Sequence, residues 1–137
     1  MKQTNYYKVL SHRVIDGDTI EVDLELPFGI RIHSNCRLRG IDAPERHNPS
    51  GKRLKEYLTY FLEDKELVCL YIKDDKFGGR FVGDLIFGEE DTLLTEYLLE
   101  QRLVKPYASG KRSLWTVEQN EAVLGNIQGL LSCPLKK

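Results

Sequence analysis

Two short segments of the sequence place carboxylates at predicted turns, where side chains from separate parts of the chain can meet. Asp16 and Asp18 flank a glycine in Asp-Gly-Asp-Thr, and Asp42 and Glu45 belong to Ile-Asp-Ala-Pro-Glu. If the fold brings these turns together, their oxygen atoms suit a hard cation, Ca²⁺ or Mg²⁺, rather than zinc. Four adjacent carboxylates without a cation would repel one another. Because either segment alone is also typical of an ordinary turn, the prediction of a metal site depends on both.

Two arginines could recognise phosphate beside such a site. Arg37 precedes the second acidic segment, and strand alternation directs it, with Arg39, to the face opposite Cys36 and Leu38. Arg80 follows the glycine-containing stretch Asp-Lys-Phe-Gly-Gly. A guanidinium suits phosphate because it can bind two of its oxygens at once. The alternative for Arg37 is a solvated strand face with acidic neighbours, and for Arg80 an ordinary hairpin loop.

The elements that would position these residues begin with five short strands, which we expect in antiparallel order. Apolar periodicity and turn residues predict them at residues 6–15, 19–26, 30–41, 67–73 and 81–87. The alternation from Ile20 to Leu26 is the clearest strand signal in the chain. In the third strand, the polar stretch His33-Ser34-Asn35 indicates a bulge.

Three helices accompany the strands. Apolar residues recur at helical spacing in residues 50–64 and 92–101, and Thr116-Val-Glu-Gln119 resembles a capping box that opens a last helix toward Ile127. Five strands with one intervening helix and two trailing helices favour an α+β fold, a five-stranded OB-type Greek-key β-barrel with three helices. A generic α+β sandwich stays open as the alternative. We interpret residues 1–137 as one domain.

Composition limits the classes of function. The 20 Lys and Arg residues against 21 Asp and Glu residues give a net charge of −1, so phosphate recognition must be local. The cysteines Cys36, Cys69 and Cys133 lack the spacing of a zinc site, and reduced thiols in a cytoplasmic protein are the simplest interpretation. No stretch has the length and hydrophobicity of a signal peptide or membrane span, so we expect no membrane partner.

Three motifs, taken in order, resemble the thermonuclease, or staphylococcal-nuclease-like, family. They are Val-Ile-Asp-Gly-Asp-Thr at 14–19, Arg-Leu-Arg-Gly-Ile-Asp-Ala-Pro-Glu at 37–45 and Asp-Lys-Phe-Gly-Gly-Arg at 75–80. The similarity in pattern extends over residues 6–107, and the predicted helix between the second and third motifs lies in the matching place. The resemblance implies a five-stranded OB barrel with three helices that hydrolyses DNA and RNA phosphodiesters with Ca²⁺ as cofactor.

The resemblance also implies a set of metal ligands. Asp18 and Asp42 would bind the metal through their carboxylates, joined by the main-chain carbonyl of Ala43. Asp16 would support these ligands without contacting the metal directly. Ala43 replaces a threonine of the best-known members, and because the expected ligand is a main-chain oxygen, the substitution should be tolerated.

Catalytic and substrate-binding roles follow in the same way. Glu45 resembles the family's proposed general base, which activates or positions the attacking water. Arg37 and Arg80 would clamp the phosphate and stabilise the charge that develops on its oxygens. The residues implied in nucleotide contact are Lys76, Phe77 and Tyr107.

The implied partner is single- or double-stranded DNA, and RNA as well, bound by a monomer. The alternative is a binding module that keeps the barrel but has lost catalysis, and that recognises nucleic acid or protein through the same groove. Tight nucleic-acid binding without a Ca²⁺ requirement and without cleavage would indicate this second hypothesis.

Overall fold

A computed structural model describes residues 5–76, 78–107 and 114–132 of the chain. In chain order its elements are β1 (Tyr6–Asp16), β2 (Thr19–Glu25), β3 (Arg31–Leu38), β4 (Ile41–Asp42), α1 (Pro49–Leu62), β5 (Val68–Asp74), β6 (Arg80–Phe87), β7 (Thr92–Leu93), α2 (Leu94–Glu100), β8 (Lys105–Pro106) and α3 (Val117–Leu131). A single 3₁₀ turn, Pro27–Gly29, joins β2 to β3.

The five longer strands close into a barrel in the order β3-β2-β1-β5-β6, so the predicted OB-type fold is confirmed. The predicted antiparallel order holds for four neighbouring pairs, but β3 and β6 pair in parallel and close the barrel. An odd number of strands that alternate in direction must contain one parallel pair when it closes. Inward-facing residues such as Val22, Cys36 and Leu85 are fully buried and form the core.

The polar residues of β3 do not form the predicted bulge. The pairing of β2 with β3 runs without a shift from Thr19 opposite Arg37 to Glu25 opposite Arg31. His33 instead contacts carboxylates of β2, with Nδ1 2.6 Å from Asp23 and Nε2 2.9 Å from Glu21. The register shifts lie in β1 and β5. The polar interruption therefore reflects cross-strand pairing on the outer face of the barrel.

The three predicted helices are present near their expected positions. α1 buries an apolar stripe that includes Leu54, Leu58 and Phe61, and it packs against α3. The predicted capping box is confirmed, because Thr116 and Gln119 exchange side-chain to main-chain hydrogen bonds of 2.9 and 3.0 Å. None of the described helices is long and apolar enough to cross a membrane. Cys36 and Cys69 are buried free thiols, and Cys133 lies outside the described residues.

Two short strands extend this frame toward the acidic segments. β4 follows β3 after a turn at Gly40, whose φ is +70°. It pairs antiparallel with β8, with Ile41 opposite Pro106 and Asp42 opposite Lys105. The strand β8, which follows α2, therefore supports Asp42, the last residue of β4.

Candidate metal and phosphate site

The two acidic segments meet at Gly17, where only a residue without a side chain fits. A Cβ atom on Gly17 would lie 2.7 Å from the Cβ of Ala43 and 2.5 Å from the Leu54 side chain. This close approach allows Asp18 Oδ2 to accept a hydrogen bond of 3.2 Å from the main-chain N–H of Ala43. The structure thus brings the turn after β1 against the end of β4.

Asp18 and Asp42 are both almost completely buried, with 6% and 3% of their surface exposed. The main-chain N–H of Asp18 donates to Asp16 Oδ1 at 3.2 Å, which places the Asp16 carboxylate next to this pair of segments. Burial raises the pKa of Asp18 to about 6, and the neighbouring Asp16 adds to the rise while Arg37 opposes it. A buried carboxylate with a perturbed pKa in such a setting is characteristic of a functional site.

Arg37, near the end of β3, contacts the same two acidic segments. Its Nη1 lies 3.7 Å from Asp18 Oδ2 and donates to the carbonyl of Leu38 at 2.8 Å. Its Nη2 donates to the carbonyl of Ile41 at 3.1 Å. The side chain is only 16% exposed, so the solvated-face alternative is wrong for Arg37. The guanidinium bridges the end of β3 to β4 beside a buried carboxylate.

Arg80 begins β6 and lies opposite Asn35 in the parallel ladder with β3. Because directly paired residues point to the same face, Arg80 and Arg37 share the outer face, with Cα atoms roughly 8 Å apart by strand geometry. The Nε of Arg80 donates to the Asp75 carboxylate across the β5–β6 loop. Lys76 is exposed in this loop, and Phe77 lies outside the described residues. The Arg80 side chain is about one-third exposed.

Glu45 follows the end of β4, but unlike those of Asp18 and Asp42 its carboxylate is not buried. Its side chain is half exposed, and its Oε1 is 3.1 Å from His47 Nε2. Its main chain is held by α1, because a Cβ on Gly51 would lie 2.0 Å from the Glu45 carbonyl oxygen. The main-chain carbonyl of Glu45 also accepts from Asn48 N–H at 3.0 Å. The residue therefore has a fixed backbone and a carboxylate that reaches solvent.

The residue types of the two acidic segments are ones that could hold a hard cation. Within the described ranges, no three His, Cys, Asp or Glu side chains form a ready-made metal cage. The oxygen-bearing groups of these two segments include the buried carboxylates of Asp18 and Asp42 and the main-chain carbonyl of Ala43. Ca²⁺ and Mg²⁺ accept such oxygen donors together with water, whereas zinc prefers nitrogen and sulfur.

The β8 segment contributes residues on the other side of Asp42. Tyr107 is half-buried, and its main-chain N–H donates to the Gly40 carbonyl at 2.8 Å. Lys105, which sequence reasoning missed, lies opposite Asp42, and its Nζ lies 4.7 Å from the centre of the Trp115 ring. No sequence signal marks Lys105, since its placement depends on a two-residue pairing between distant segments.

Comparison with known proteins shows sequence similarity to several curated proteins. No family model matches the chain. It is 36% identical over 97 residues to the probable staphylococcal-like nuclease CAN1 of Oryza sativa subsp. japonica, covering 61% of this chain and 29% of that protein. It is 34% identical over 73 residues to an uncharacterized endonuclease of Escherichia coli O157:H7, covering 53% and 44%. An uncharacterized 38.1 kDa protein of Capnoides sempervirens is 33% identical over 118 residues, covering 83% and 32%.

The chain thus spans less than half the length of each of these curated relatives. The fold and the site define a small OB-type barrel with a buried acidic corner and an adjacent arginine. The named relatives confirm its resemblance to the thermonuclease-like family, at modest identity.

Proposed function

We propose that the chain is a nuclease of the staphylococcal type that hydrolyses phosphodiester bonds of DNA and RNA and uses Ca²⁺. The observation that carries this proposal is the junction of Asp18, Ala43 and Arg37, where a buried carboxylate and a guanidinium share one corner. Two relatives named as a nuclease and an endonuclease support phosphodiester hydrolysis as the reaction class.

Asp18, Asp42 and the main-chain carbonyl of Ala43 would hold the metal ion. Asp16 would support them through its hydrogen bond with the main chain of Asp18. When bound, Ca²⁺ supplies Lewis-acid stabilisation of the negative charge on phosphate oxygens. Burial of both carboxylates excludes water from this side of the site, which strengthens their electrostatic interactions.

Arg37 and Arg80 would bind the non-bridging oxygens of the scissile phosphate. Their positions on neighbouring strands direct both side chains to the same face of the barrel, which supports this role. Arg80 contacts Asp75 in the structure, so a phosphate would compete with that carboxylate for the same donors. Charge that grows on the phosphate in the transition state favours this exchange.

Glu45 would orient the attacking water and accept its proton. Its half-exposed carboxylate can reach a water molecule, while its main chain is fixed by contact with α1. A positioned general base contributes about 10²–10⁴-fold to a rate. Lys76, Phe77 and Tyr107 would contact the flanking nucleotides of a substrate bound by the monomer.

The experiment that tests this proposal is a cleavage assay on single-stranded DNA, double-stranded DNA and RNA in Ca²⁺, Mg²⁺ or EDTA. We expect cleavage that requires Ca²⁺. Glu45→Gln should lower kcat by about 10²–10⁴-fold. Arg37→Ala should lower it by about 10²–10³-fold, because a charge-stabilising donor is lost.

The matched control is Arg13→Ala, which removes an exposed arginine paired with Glu21 on the outer face of β1 and β2. This variant should cleave at the wild-type rate. Folded wild-type protein that binds nucleic acid in EDTA and cleaves none of the three substrates would contradict the nuclease and favour the binding module.

A further inference from the structure

Asp84 is a fully buried carboxylate that the proposed chemistry does not use. It lies on β6, where its Oδ1 accepts from the main-chain N–H groups of Leu85 at 2.9 Å and Thr95 at 3.2 Å. Its Oδ2 accepts from the Thr95 hydroxyl at 2.5 Å. Leu93, which precedes α2, has no polar side chain to cap that helix. Asp84 therefore supplies an acceptor for the first turn of α2 from a neighbouring strand.

The same carboxylate reaches toward the metal ligands through Arg39. Arg39 Nε lies 3.4 Å from Asp84 Oδ2, and its main-chain N–H donates to the Gly83 carbonyl at 3.0 Å. Arg39 immediately precedes Gly40, which adopts a positive φ and leads directly into β4. We call residues 38–43 the Asp42 corner. The side chain and the main chain of Arg39 thus attach this corner to β6.

A second connection runs from Asp84 through α2. The helix ends at Glu100, and the chain turns back through Leu103, whose N–H donates to the Leu98 carbonyl at 3.0 Å. It then enters β8, which pairs with β4 at Asp42. Asp84 consequently contacts two segments that each lead to the Asp42 corner.

We propose that Asp84 and Arg39 are positioning residues that set the geometry of Asp42 and the Ala43 carbonyl for the metal ion. This inference rests on the proposed function, which assigns those two groups as ligands. Arg39 is not a substrate-binding arginine in this scheme, although sequence alternation places it on the same face as Arg37. Its Nε contacts the buried carboxylate of Asp84, although the side chain as a whole is 41% exposed.

Electrostatics and positioning predict opposite effects when Arg39 is neutralised. Removing a positive charge near a cation site strengthens cation binding if the geometry is unchanged. Releasing the Asp42 corner weakens binding, because ligands that must be ordered on binding cost free energy. The sign of the change in Ca²⁺ affinity therefore separates the two effects.

The experiment measures Ca²⁺ affinity by isothermal titration calorimetry without nucleic acid, and thermal unfolding in EDTA. Residues that contact a metal ligand typically contribute about 10–100-fold to metal affinity. Arg39 is one contact further from the metal, so we expect Arg39→Met to weaken Ca²⁺ binding by roughly threefold to tenfold. Thr95→Val should also weaken Ca²⁺ binding, since it removes the hydroxyl that donates a hydrogen bond to Asp84. Thr95→Ser keeps that donor and should bind Ca²⁺ like the wild type.

Arg13→Met is the matched control, because it also removes an arginine whose Nε contacts a carboxylate, but Arg13 pairs with Glu21 between β1 and β2 and belongs neither to the Asp42 corner nor to β6. The control variant should bind Ca²⁺ with an affinity within about twofold of the wild type. Loss of a direct partner of a metal ligand, by comparison, weakens binding by at least roughly 10-fold. If wild-type protein binds Ca²⁺ and Arg39→Met binds it equally well or more tightly, the inference is overturned while the proposed function stands. If wild-type protein binds no Ca²⁺, the proposed function fails and this inference falls with it.

Discussion

Asp18 is under two opposing physical demands. Burial beside Asp16 raises its pKa to about 6, so its carboxylate is unfavourable in the folded protein without a cation. In the proposed metal site, the same burial would strengthen its attraction for a cation, because few water molecules compete for its oxygens. A residue of this kind contributes to function at the expense of stability.

Replacement of Asp18 by Asn should therefore stabilise the metal-free protein and abolish cleavage. The folded pKa lies above the usual value of 3.8, so ionisation of Asp18 costs stability as pH rises from about 4 to 6, and the cost persists above pH 6. At pH 7.5 in EDTA we expect Asp18→Asn to have a higher melting temperature than the wild type. Its free energy of unfolding should be larger by about 0.5–2 kcal/mol.

Near pH 3.5 most of this advantage should vanish, because Asp18 is then protonated in the folded protein and about two-thirds protonated in the unfolded chain. Thermal unfolding of both proteins at the two pH values checks the prediction. A lower melting temperature for Asp18→Asn at pH 7.5 would show that its hydrogen bonds outweigh the cost of its charge.

Some residue roles were predictable from the sequence because they depend on local spacing. Alternation along β3 correctly separated Arg37 and Arg39 from the buried Cys36 and Leu38. Asp84 was not predictable in this way. Periodicity assigns it to the outer face of β6 but cannot show that α2 covers that face and buries it.

At the scale of elements, α1 and the segment before it are joined by direct contact at Gly51. An added Cβ would lie 2.0 Å from the carbonyl oxygen of Glu45, a separation that only movement of the main chain can relieve. The start of α1 therefore determines where Glu45 lies relative to the Asp42 corner.

The prediction at this scale is that Gly51→Ala destabilises the protein by about 1–3 kcal/mol, as overpacking does, and lowers cleavage by displacing Glu45. Gly125→Ala is the control, because it lies inside α3 with open space around it. Helix propensity should make that variant more stable by up to about 1 kcal/mol, with unchanged cleavage. Denaturant unfolding and cleavage rates test both. Wild-type stability for Gly51→Ala would show that the contact is easily relieved.

Local hydrogen bonds explain why some element boundaries could be predicted and others could not. The capping box at Thr116 uses residues three apart, so its sequence signature is sufficient. The bulges of β1 and β5 depend on hydrogen bonds with a partner strand, which the sequence of one strand does not reveal. The polar stretch around His33 resembles a bulge in the sequence because the acidic residue that His33 contacts lies on another strand, β2.

At the scale of the whole molecule, near-neutral net charge limits long-range attraction to nucleic acid. Binding should then depend on a few local contacts, chiefly Arg37, Arg80 and Lys76. For three cationic contacts with a single strand, the logarithm of the binding constant should fall with the logarithm of salt concentration with a slope of about −2. Fluorescence anisotropy with labelled single-stranded DNA in EDTA measures this slope. A slope near −6 would indicate a wider basic track than these residues provide.

The parallel pairing of β3 with β6 has a consequence for how the chain can change over evolution. Arg37 and Arg80 are spaced by a hydrogen-bonded ladder, whereas the loop before Arg80 contains Gly79 with a φ of +82° and open space around it. Insertions and deletions in that loop can therefore accumulate without altering the register of the two strands that carry these arginines. A barrel of this kind can diversify the β5–β6 loop while the two arginines keep their relative places along the ladder.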